Sequence, residues 1–364
     1  MQRVLPSYDG ACLSNIVPAL LGEAQQWPSW IPEIARDASQ VVLLVIDALG
    51  WEQLGERAAV APTLSAMEGG PITSVSPSTT SVALTSITTG RPPGEHGVVG
   101  YRMAVDGEIL NSLRWTTAQG DARLRLNPAE FQPLPVFCGQ EAVIIGKGEF
   151  ESSGFTSAHL RDARYVGYRT MSGIVVEVDA ELRRGSPFVF AYYDGIDRVA
   201  HEFGFGQHYS GELQAVDRLV ADLIDVLPRG AVLLVTADHG QVDCAGSAIV
   251  IEREVTEHVV RQSGEARFRW LHLRDGTVDH VVALARQAHG SQAWIHTVDE
   301  VVEQGWFGPV VQDFARARLG DVAIVAKENN AFVDPNDKVP IDLIGRHGSL
   351  TSAEMYVPLL AAWR

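Results

Sequence analysis

Five short polar fragments, which follow apolar runs, are spread over about three hundred residues of this chain. Together they supply three carboxylates, three imidazoles and one hydroxyl. The fragments are Asp47, Thr80, the pair Asp197 and His201, the pair Asp238 and His239, and His347. Carboxylates and imidazoles are ligands of two-metal sites, and a hydroxyl beside such a site is a potential nucleophile. A single site built from all five would fix the fold, the cofactor and the reaction class together.

Three of the apolar runs predict buried strands of a largely parallel sheet. The runs at 41–46, 187–193 and 231–236 are short, rich in β-branched or aromatic residues, and apolar without alternation. Such runs are typical of strands that are covered on both faces. A helical pattern at 213–224 lies between two of them, so we expect a layered α/β/α fold. In such folds ligands bind beyond the carboxyl ends of the strands, where three of the polar fragments are placed.

The segment from 246 to 330 predicts a small α/β insertion that flanks the site. It contains a strand pattern at 266–273 and a helix pattern at 278–288. It also separates the fourth polar fragment from the fifth. We therefore assign 1–245 and 331–364 to one catalytic core and 246–330 to the insertion.

Composition narrows the range of partners and compartments. The formal net charge of -16 repels polyanions, so we expect no nucleic-acid polymer as a partner, although a metal site can bind a small phosphate ester. Three widely spaced cysteines indicate a reducing compartment without a disulfide framework. The N-terminus lacks a basic segment followed by an apolar one, and no apolar run is long enough for a membrane span. We therefore expect a soluble cytoplasmic protein without a membrane partner; the sequence does not indicate its oligomeric state.

Each charged fragment also has a structural interpretation. Asp47 and Asp238 follow strands and are equally suited to capping the next helix or turn. Asp197 and His201 are four residues apart and would share one face of a helix, as a surface pair does. His347 could be an ordinary loop histidine. No single fragment therefore identifies a metal site.

Thr80 has two interpretations that lead to different chemistry. It belongs to a cluster of hydroxyl residues before a predicted helix at 82–88, where such residues cap the helix. The N-terminus of a helix also attracts phosphate. A threonine hydroxyl is a poor nucleophile at neutral pH unless a divalent cation lowers its pKa. Thr80 is therefore reactive only if a metal is bound beside it.

The spacing around Thr80 resembles that of a known family. Residues 77–80 and 89–97 look like the nucleophile region of the nucleotide pyrophosphatase/phosphodiesterase branch of the alkaline phosphatase superfamily. In that family the threonine nucleophile stands ten residues before the glycine of a TG turn and sixteen before an HG pair. Thr80, Gly90 and His96 keep both intervals, and the other fragments follow in family order over nearly the whole chain.

The resemblance implies an alkaline phosphatase-like fold with two bound metal ions. One ion would be bound by Asp47, Thr80, Asp238 and His239, and the other by Asp197, His201 and His347. Zinc is the usual ion of the family, and manganese also suits these ligands. Thr80 would attack phosphorus and form a phosphothreonine that water then hydrolyses. The implied activity is hydrolysis of a phosphodiester or pyrophosphate bond in a small soluble substrate.

One position departs from the family pattern. The resemblance implies an asparagine that donates to a phosphate oxygen three residues after the threonine, and this chain has Ala83 there. We expect backbone N–H groups of Thr80 and Ser81 to donate instead. Asn111 is a further candidate on residue type, and a loop asparagine is its alternative interpretation.

Other functions stay open at this point. Relatives with similar metal sites hydrolyse phosphonates or phosphate monoesters, so these are the alternative substrates. A sulfatase is not expected, because none of the three cysteines begins the C-x-P-x-R pattern of those relatives. A metal-binding scaffold without catalysis is the non-enzymatic alternative.

Overall fold

A seven-stranded sheet lies at the centre of the computed structural model, which describes residues 2–22, 26–334 and 343–364. The strands are β1 (Gln40–Ile46), β2 (Glu68–Thr73), β3 (Arg102–Val105), β4 (Glu108–Asn111), β5 (Thr116–Thr117), β6 (Gly120–Asp121), β7 (Val143–Lys147), β8 (Arg164–Tyr168), β9 (Phe188–Tyr193), β10 (Ala231–Thr236), β11 (Val242–Asp243), β12 (Ala248–Val250), β13 (Val259–Gly264), β14 (Phe268–Leu273), β15 (Ala293–Thr297), β16 (Val322–Ala326), β17 (Ala331–Val333), β18 (Gly345–Arg346) and β19 (Tyr356–Trp363).

Helices of very different length connect these strands. They are α1 (Ile16–Leu21), α2 (Trp51–Glu56), α3 (Pro62–Ala66), α4 (Thr80–Thr89), α5 (Pro93–His96), α6 (Pro128–Phe131), α7 (Gly154–His159), α8 (Met171–Arg184), α9 (Gly195–Phe203), α10 (Gln207–Val226), α11 (Arg253–Thr256), α12 (Val278–His289), α13 (Val298–Glu303), α14 (Asp313–Arg316) and α15 (Ser352–Met355). Short 3-10 helices cover Leu13–Asn15, Glu33–Ala35, Ala58–Val60 and Phe137–Gly139.

The central sheet is largely parallel, as its apolar runs predict. Its strand order is β2-β19-β10-β1-β9-β7-β8, and β10, β1, β9, β7 and β8 are parallel neighbours. β19 pairs antiparallel with β10 and with β2. The three predicted runs correspond to β9, β1 and β10, which lie side by side. The predicted α/β fold with a largely parallel sheet is therefore confirmed.

The register of the three middle strands aligns their carboxyl ends. Val45 of β1 lies opposite Thr236 of β10, and Ile46 lies opposite Tyr193 of β9. Burial on both faces explains the continuous apolar pattern, because Val42 and its neighbours along β1 are almost fully buried. The polar residues that follow these strands consequently meet at one edge of the sheet.

The helices pack against the sheet and against one another. α8 contacts β7, β8 and β9, and α10 contacts both α8 and α9. α10 contains the predicted helix at 213–224 and buries one apolar face, which includes Leu213, Val216, Leu219, Val220 and Leu223. None of the helices in the described part of the chain has an apolar stretch of the length that crossing a membrane requires.

A second, antiparallel sheet lies in the segment that the sequence predicts to be an insertion. Its strand order is β13-β14-β16-β15, and α12 packs against β15. These elements share a separate apolar cluster that includes Leu271, Val281, Ala285, Ile295 and Ile324. β12 pairs with β17 and so links residues on both sides of position 330. The division of the chain at 246 and 330 stays a prediction.

Candidate metal centre and active site

The ends of two neighbouring strands bring Asp47 and Asp238 together. Asp47 directly follows β1, Asp238 follows β10 by one residue, and both are buried. Oδ1 of Asp238 accepts hydrogen bonds from the N–H groups of Ala48, at 3.0 Å, and His239, at 2.9 Å. Nε2 of His239 lies 3.6 Å from Oδ1 of Asp47 and 3.5 Å from Oδ2 of Asp238. One imidazole nitrogen therefore faces two carboxylates.

Thr80 is the first residue of α4 and lies beside this imidazole. Its Oγ1 is 3.1 Å from Nε2 of His239. The N–H group of Val82 donates to the carbonyl of Thr79, whereas those of Thr80 and Ser81 have no acceptor among the described residues. The start of a ten-residue helix thus offers one hydroxyl and two N–H donors.

The remaining predicted ligands come from α9 and from the loop after β18. Asp197 and His201 lie one turn apart on α9, and Oδ1 of Asp197 is 3.2 Å from Nε2 of His201. Nε2 of His347 lies 3.8 Å from the same oxygen. The ring of His347 stacks on that of His239 with centroids 3.7 Å apart. The structure therefore brings all five polar fragments into one site.

All three histidines are oriented by backbone carbonyl groups. Nδ1 of His239 contacts the carbonyl of the next residue at 3.1 Å, Nδ1 of His201 that of Gly345 at 2.6 Å, and Nδ1 of His347 that of Ser78 at 3.0 Å. A carbonyl oxygen only accepts hydrogen bonds, so in the neutral form of each ring Nδ1 carries the proton and Nε2 carries the lone pair. This second hydrogen bond is typical of metal-binding histidines.

Two buried carboxylate oxygens support a cation site. Oδ1 of Asp47 and Oδ2 of Asp238 are buried and have no hydrogen-bond partner among the described residues. Burial, and then the charges of Asp238 and Asp197, raise the pKa of Asp47 well above its usual value. Burial also raises the pKa of Asp238. Unpaired carboxylates in a protein interior are costly, and a divalent cation between them would remove the cost.

In the other predicted ligand group, Asp197 and the histidines beside it shift one another's pKa values. Burial would raise the pKa of Asp197, but its interactions with the neighbouring imidazoles, above all that of His201, outweigh burial and lower it. Burial would lower the pKa of His201, and the charge of Asp197 raises it instead. Burial, and then the charge of His239, lower the pKa of His347 well below its usual value. At neutral pH Asp197 is ionised and His347 is neutral, as metal binding requires.

Two groups of three residues place their ligand atoms within 4.8 Å of one another. One is Asp47, Asp238 and His239, and the other is Asp197, His239 and His347. His239 belongs to both groups, whereas the sequence assigns it only to the first. His201 lies beside the second group, with its ring centroid 5.3 Å from that of His347. Metal binding by these residues stays a prediction.

Two residues outside the sequence motifs hold the carboxylates. The hydroxyl of Tyr192 donates to Oδ2 of Asp47, and Nε2 of Gln241 donates to Oδ1 of Asp197. The sequence patterns indicate neither residue. Tyr192 lies within a strand that reads only as apolar, although its place next to the carboxyl end of β9 is a usable signal. Gln241 lies two residues after His239, and its type alone indicates no role.

A third missed residue comes from the turn between β13 and β14. Glu265 accepts a hydrogen bond from Oγ1 of Thr79 at 3.3 Å, and its Oε2 lies 4.0 Å from Nδ1 of His347. Burial raises the pKa of Glu265 to about 8. The segment after 246 thus places a carboxyl group in the site, and no sequence pattern indicates it.

The predicted substrate contacts are less direct than the predicted ligands. Oγ of Ser81 donates to the carbonyl of Gly100 at 3.4 Å. Nδ2 of Asn111 donates to the hydroxyl of Tyr101 at 2.7 Å. Ala83 is fully buried inside α4. Contact of Ser81 and Asn111 with substrate stays a prediction.

Two cavities open from Thr80 and Asp197. The polar cavity has a volume of about 220 Å³, and its lining includes Tyr101, Arg102, Glu265, Arg269, Arg346 and His347. The apolar cavity has a volume of about 290 Å³, and its lining includes Leu84, Leu113, Phe150, Phe155, Tyr165 and Phe190. The hydroxyl of Thr80 therefore lies between a charged space and an aromatic one.

The family of the chain follows from comparison with known sequences. The family described as type I phosphodiesterase/nucleotide pyrophosphatase matches residues 41–350. The chain therefore belongs to this family, which is the one that the spacing of Thr80, Gly90 and His96 resembles. No curated protein sequence matches the chain at a significant level.

Solved structures share the fold over most of the chain. An inactive threonine-to-alanine variant of murine ectonucleotide pyrophosphatase/phosphodiesterase 5, in complex with AMP, is 18% identical, with a TM-score of 0.67 over 89% of this chain and 88% of that one. The human protein of the same name is 16% identical, with a TM-score of 0.64 over the same shares. Phosphonoacetate hydrolase from Sinorhizobium meliloti 1021, in complex with phosphonoacetate, is 18% identical, with a TM-score of 0.65 over 89% and 90%.

Proposed function

We propose that this protein is a metal-dependent hydrolase that cleaves a phosphodiester or pyrophosphate bond of a small soluble substrate through a phosphothreonine intermediate. The observation that carries the proposal is the position of Thr80. Its hydroxyl lies 3.1 Å from His239, the residue that the two acidic groups share. A hydroxyl at the N-terminus of a helix is also placed where a phosphoryl group binds favourably. Membership of the family supports the same reaction.

The donor set fits two divalent cations. The unpaired carboxylate oxygens and the three Nε2 lone pairs are the atoms that would bind them. Asp47, Thr80, Asp238 and His239 would hold one ion, and Asp197, His201 and His347 the other. Nitrogen and carboxylate ligands favour zinc, and manganese is the alternative. When bound, such ions lower the pKa of a coordinated hydroxyl or water and neutralise charge on the phosphoryl group.

The residues of the chain perform both halves of the reaction. Oγ1 of Thr80 attacks phosphorus, and the bond to the leaving-group oxygen breaks. The N–H groups of Thr80 and Ser81 donate to a non-bridging oxygen. Tyr192 and the backbone partners of the histidines keep the ligand atoms in place. Water then hydrolyses the phosphothreonine and restores the hydroxyl of Thr80.

The apolar cavity supports a substrate with an organic group on phosphorus. Its aromatic side chains would pack against a base or another flat apolar group. The murine relative that was solved with AMP supports a nucleotide of this kind. The net charge of -16 supports a small substrate rather than a nucleic-acid polymer.

A phosphonate or a phosphate monoester is the second candidate, and the polar cavity favours it. Arg102, Arg269 and Arg346 line this cavity beside His201 and His347. Guanidinium groups would attract the additional negative charge of a monoester or of a carboxylated phosphonate. The relative from Sinorhizobium meliloti that was solved with phosphonoacetate supports this alternative.

A substrate panel on zinc-reconstituted protein tests the proposal. We expect bis(p-nitrophenyl) phosphate to be hydrolysed faster than p-nitrophenyl phosphate or phosphonoacetate. Thr80→Ala should abolish turnover. The zinc content should stay unchanged, because Asp47, Asp238 and His239 would still hold the ion. Thr88→Ala is the matched control, because Thr88 is a buried threonine of the same helix whose hydroxyl donates to the carbonyl of Thr85. A preference for the monoester or the phosphonate would favour the second candidate. Two bound zinc ions without hydrolysis of any substrate would favour the alternative of a metal-binding scaffold without catalysis.

We propose a cytoplasmic location from the three cysteines, which are all free. Cys12 and Cys244 are buried and Cys138 is exposed. An exposed free thiol suits a reducing compartment, where it is not oxidised. Labelling with a maleimide in intact and in permeabilised cells would test the location.

A further inference from the structure

A tyrosine and an asparagine form a hydrogen-bonded pair on the wall of the polar cavity. Tyr101 lines this cavity together with Thr80. Nδ2 of Asn111, at the end of β4, donates to the hydroxyl oxygen of Tyr101 at 2.7 Å. Oδ1 of Asn111 accepts from the N–H group of Arg114 at 3.0 Å, so the amide cannot be reversed without losing that bond. The asparagine therefore donates to the phenol, and the phenol is the acceptor.

This arrangement leaves the proton of the Tyr101 hydroxyl available. A phenol has one O–H donor, and the bond from Asn111 uses its acceptor side. Among the residues that the structure describes, the hydroxyl of Tyr101 has no acceptor for its own proton. The ring is only partly buried and borders the cavity, so an acceptor supplied by a bound molecule would complete the pair.

The backbone of Tyr101 is anchored beside the nucleophile. The carbonyl of Gly100, the residue before it, accepts from Oγ of Ser81 at 3.4 Å and from Oγ of Ser112 at 3.1 Å. Ser81 directly follows Thr80. The N–H group of Ser112 donates to the carbonyl of Tyr101 at 2.9 Å. The first turn of α4 and the hairpin of β3 and β4 thus hold Tyr101 at a fixed place relative to the reactive hydroxyl.

We propose that the hydroxyl of Tyr101 donates a hydrogen bond to a non-bridging oxygen of the phosphoryl group at Thr80, and that Asn111 is the residue that positions it. The proposal rests on the proposed function. It supplies a donor that position 83 cannot, because Ala83 is buried in α4 and has no polar side-chain atom. It also gives Asn111 an indirect role in place of direct contact with the substrate.

The first test compares the wild type with Tyr101→Phe. The variant keeps the ring and removes only the donor. We expect its kcat/KM for bis(p-nitrophenyl) phosphate to fall about 100-fold, at the lower end of the range for losing one oxyanion donor. Replacing a non-bridging oxygen of the substrate by sulfur weakens the acceptor, so the rate loss caused by sulfur should be smaller in the variant than in the wild type. If Tyr101 had only a structural role, the rate loss caused by sulfur would be the same in the variant and in the wild type.

A binding measurement separates this inference from the proposed function. Orthovanadate imitates the phosphoryl group, and its affinity for the zinc-loaded protein can be measured by calorimetry without turnover. We expect Tyr101→Phe to weaken vanadate binding about tenfold, as loss of a hydrogen bond to a charged group does. If the wild type hydrolyses nothing but shows this difference, the proposed function fails and Tyr101 is still an anion donor.

The positioning role of Asn111 is tested by a double-mutant cycle. Asn111→Ala should weaken vanadate binding in the wild type and have no further effect in Tyr101→Phe, because it acts only through the phenol. Tyr193→Phe is the matched control, since its hydroxyl donates to Glu212 at 2.6 Å outside both cavities. Vanadate affinity of Tyr101→Phe within twofold of the wild type would overturn the proposal, as would independent effects of the two substitutions. A lower melting temperature with unchanged vanadate affinity would assign the pair to the packing of the hairpin and overturn it equally.

Discussion

The buried ion pair of Arg267 and Glu354 offers a quantitative test of how the site is supported. Both side chains are fully buried, and two parallel bonds join them, from Nε at 3.0 Å and from the terminal Nη2 at 2.6 Å. Oε1 of Glu354 also accepts from the N–H group of Ser349 at 3.0 Å. Ser349 lies two residues after His347. The pair therefore ties the segment around β14 to the loop that carries a predicted metal ligand.

Glu354→Gln keeps the shape of the side chain and removes its charge. In the wild type the hydroxyl of Thr351 donates to Oε2 of Glu354 at 2.5 Å. In the variant the NH2 group of the glutamine faces either Arg267 or this hydroxyl, so two donors meet. Breaking a buried pair from one side costs about 3–5 kcal/mol, because the other charge stays buried. The unfolding entropy is about 2.1 cal/mol/K per residue, or about 0.8 kcal/mol/K for 364 residues. We therefore expect the melting temperature to fall by about 4–7 °C.

Differential scanning calorimetry of the zinc-loaded protein measures this shift. Glu33→Gln is the control, because Glu33 pairs with Arg36 at 3.0 Å while their side chains are 71% and 55% exposed. That change should cost less than about 0.5 kcal/mol. Replacing both Arg267 and Glu354 by methionine should recover part of the loss, since no charge is then left unpaired. A shift below about 1 °C for Glu354→Gln would show that the buried pair does not stabilise the fold by the expected amount.

Two further predictions concern the predicted metal ligands. Tyr192→Phe removes the hydrogen bond to Oδ2 of Asp47 and should lower zinc affinity about 10- to 100-fold in a calorimetric titration; unchanged affinity would contradict the role of Tyr192. The second prediction concerns how the stability of the protein depends on pH, which follows from the raised pKa values of Asp47 and Asp238. Their contribution to stability is present below the usual carboxyl pKa and is lost, in the metal-free protein, as pH rises towards the raised values. Zinc replaces the protons, so the rise in melting temperature on adding zinc should be larger at about pH 7.5 than at about pH 5.5, and an equal or smaller rise would contradict the assignment.

The sequence predicts the edge of the sheet because the physical signal there is local. A strand that is buried on both faces must be apolar throughout, so β1, β9 and β10 are readable one by one. A polar residue after such a strand then lies at the ligand-binding edge, which places Asp47 and Asp238. That α9 and the loop after β18 lie beside Asp47 and Asp238 is predicted only by the order of the family motifs. Spacing along the chain does not show which segments meet.

The residues that sequence analysis misses act through contacts between distant segments. Glu265 reaches the site from the turn between β13 and β14, and its neighbours in sequence indicate nothing of this. The spacing of Thr351 and Glu354 predicts a capping box for α15. That prediction is wrong: Thr351 makes no side-chain capping bond, and Glu354 instead binds Arg267, which is 87 residues away in sequence. Tertiary pairing of a buried arginine outweighs the local pattern.

The number of metal ions that the chain binds is a direct test of a two-metal site at Thr80. Native mass spectrometry of the zinc-saturated protein should show two zinc ions per chain for the wild type. It should show one for Asp47→Asn combined with Asp238→Asn, and one for Asp197→Asn combined with His347→Ala, because each pair belongs to only one ligand group. A wild type that binds one ion or none, or a double variant that still binds two, would contradict a two-metal site at Thr80.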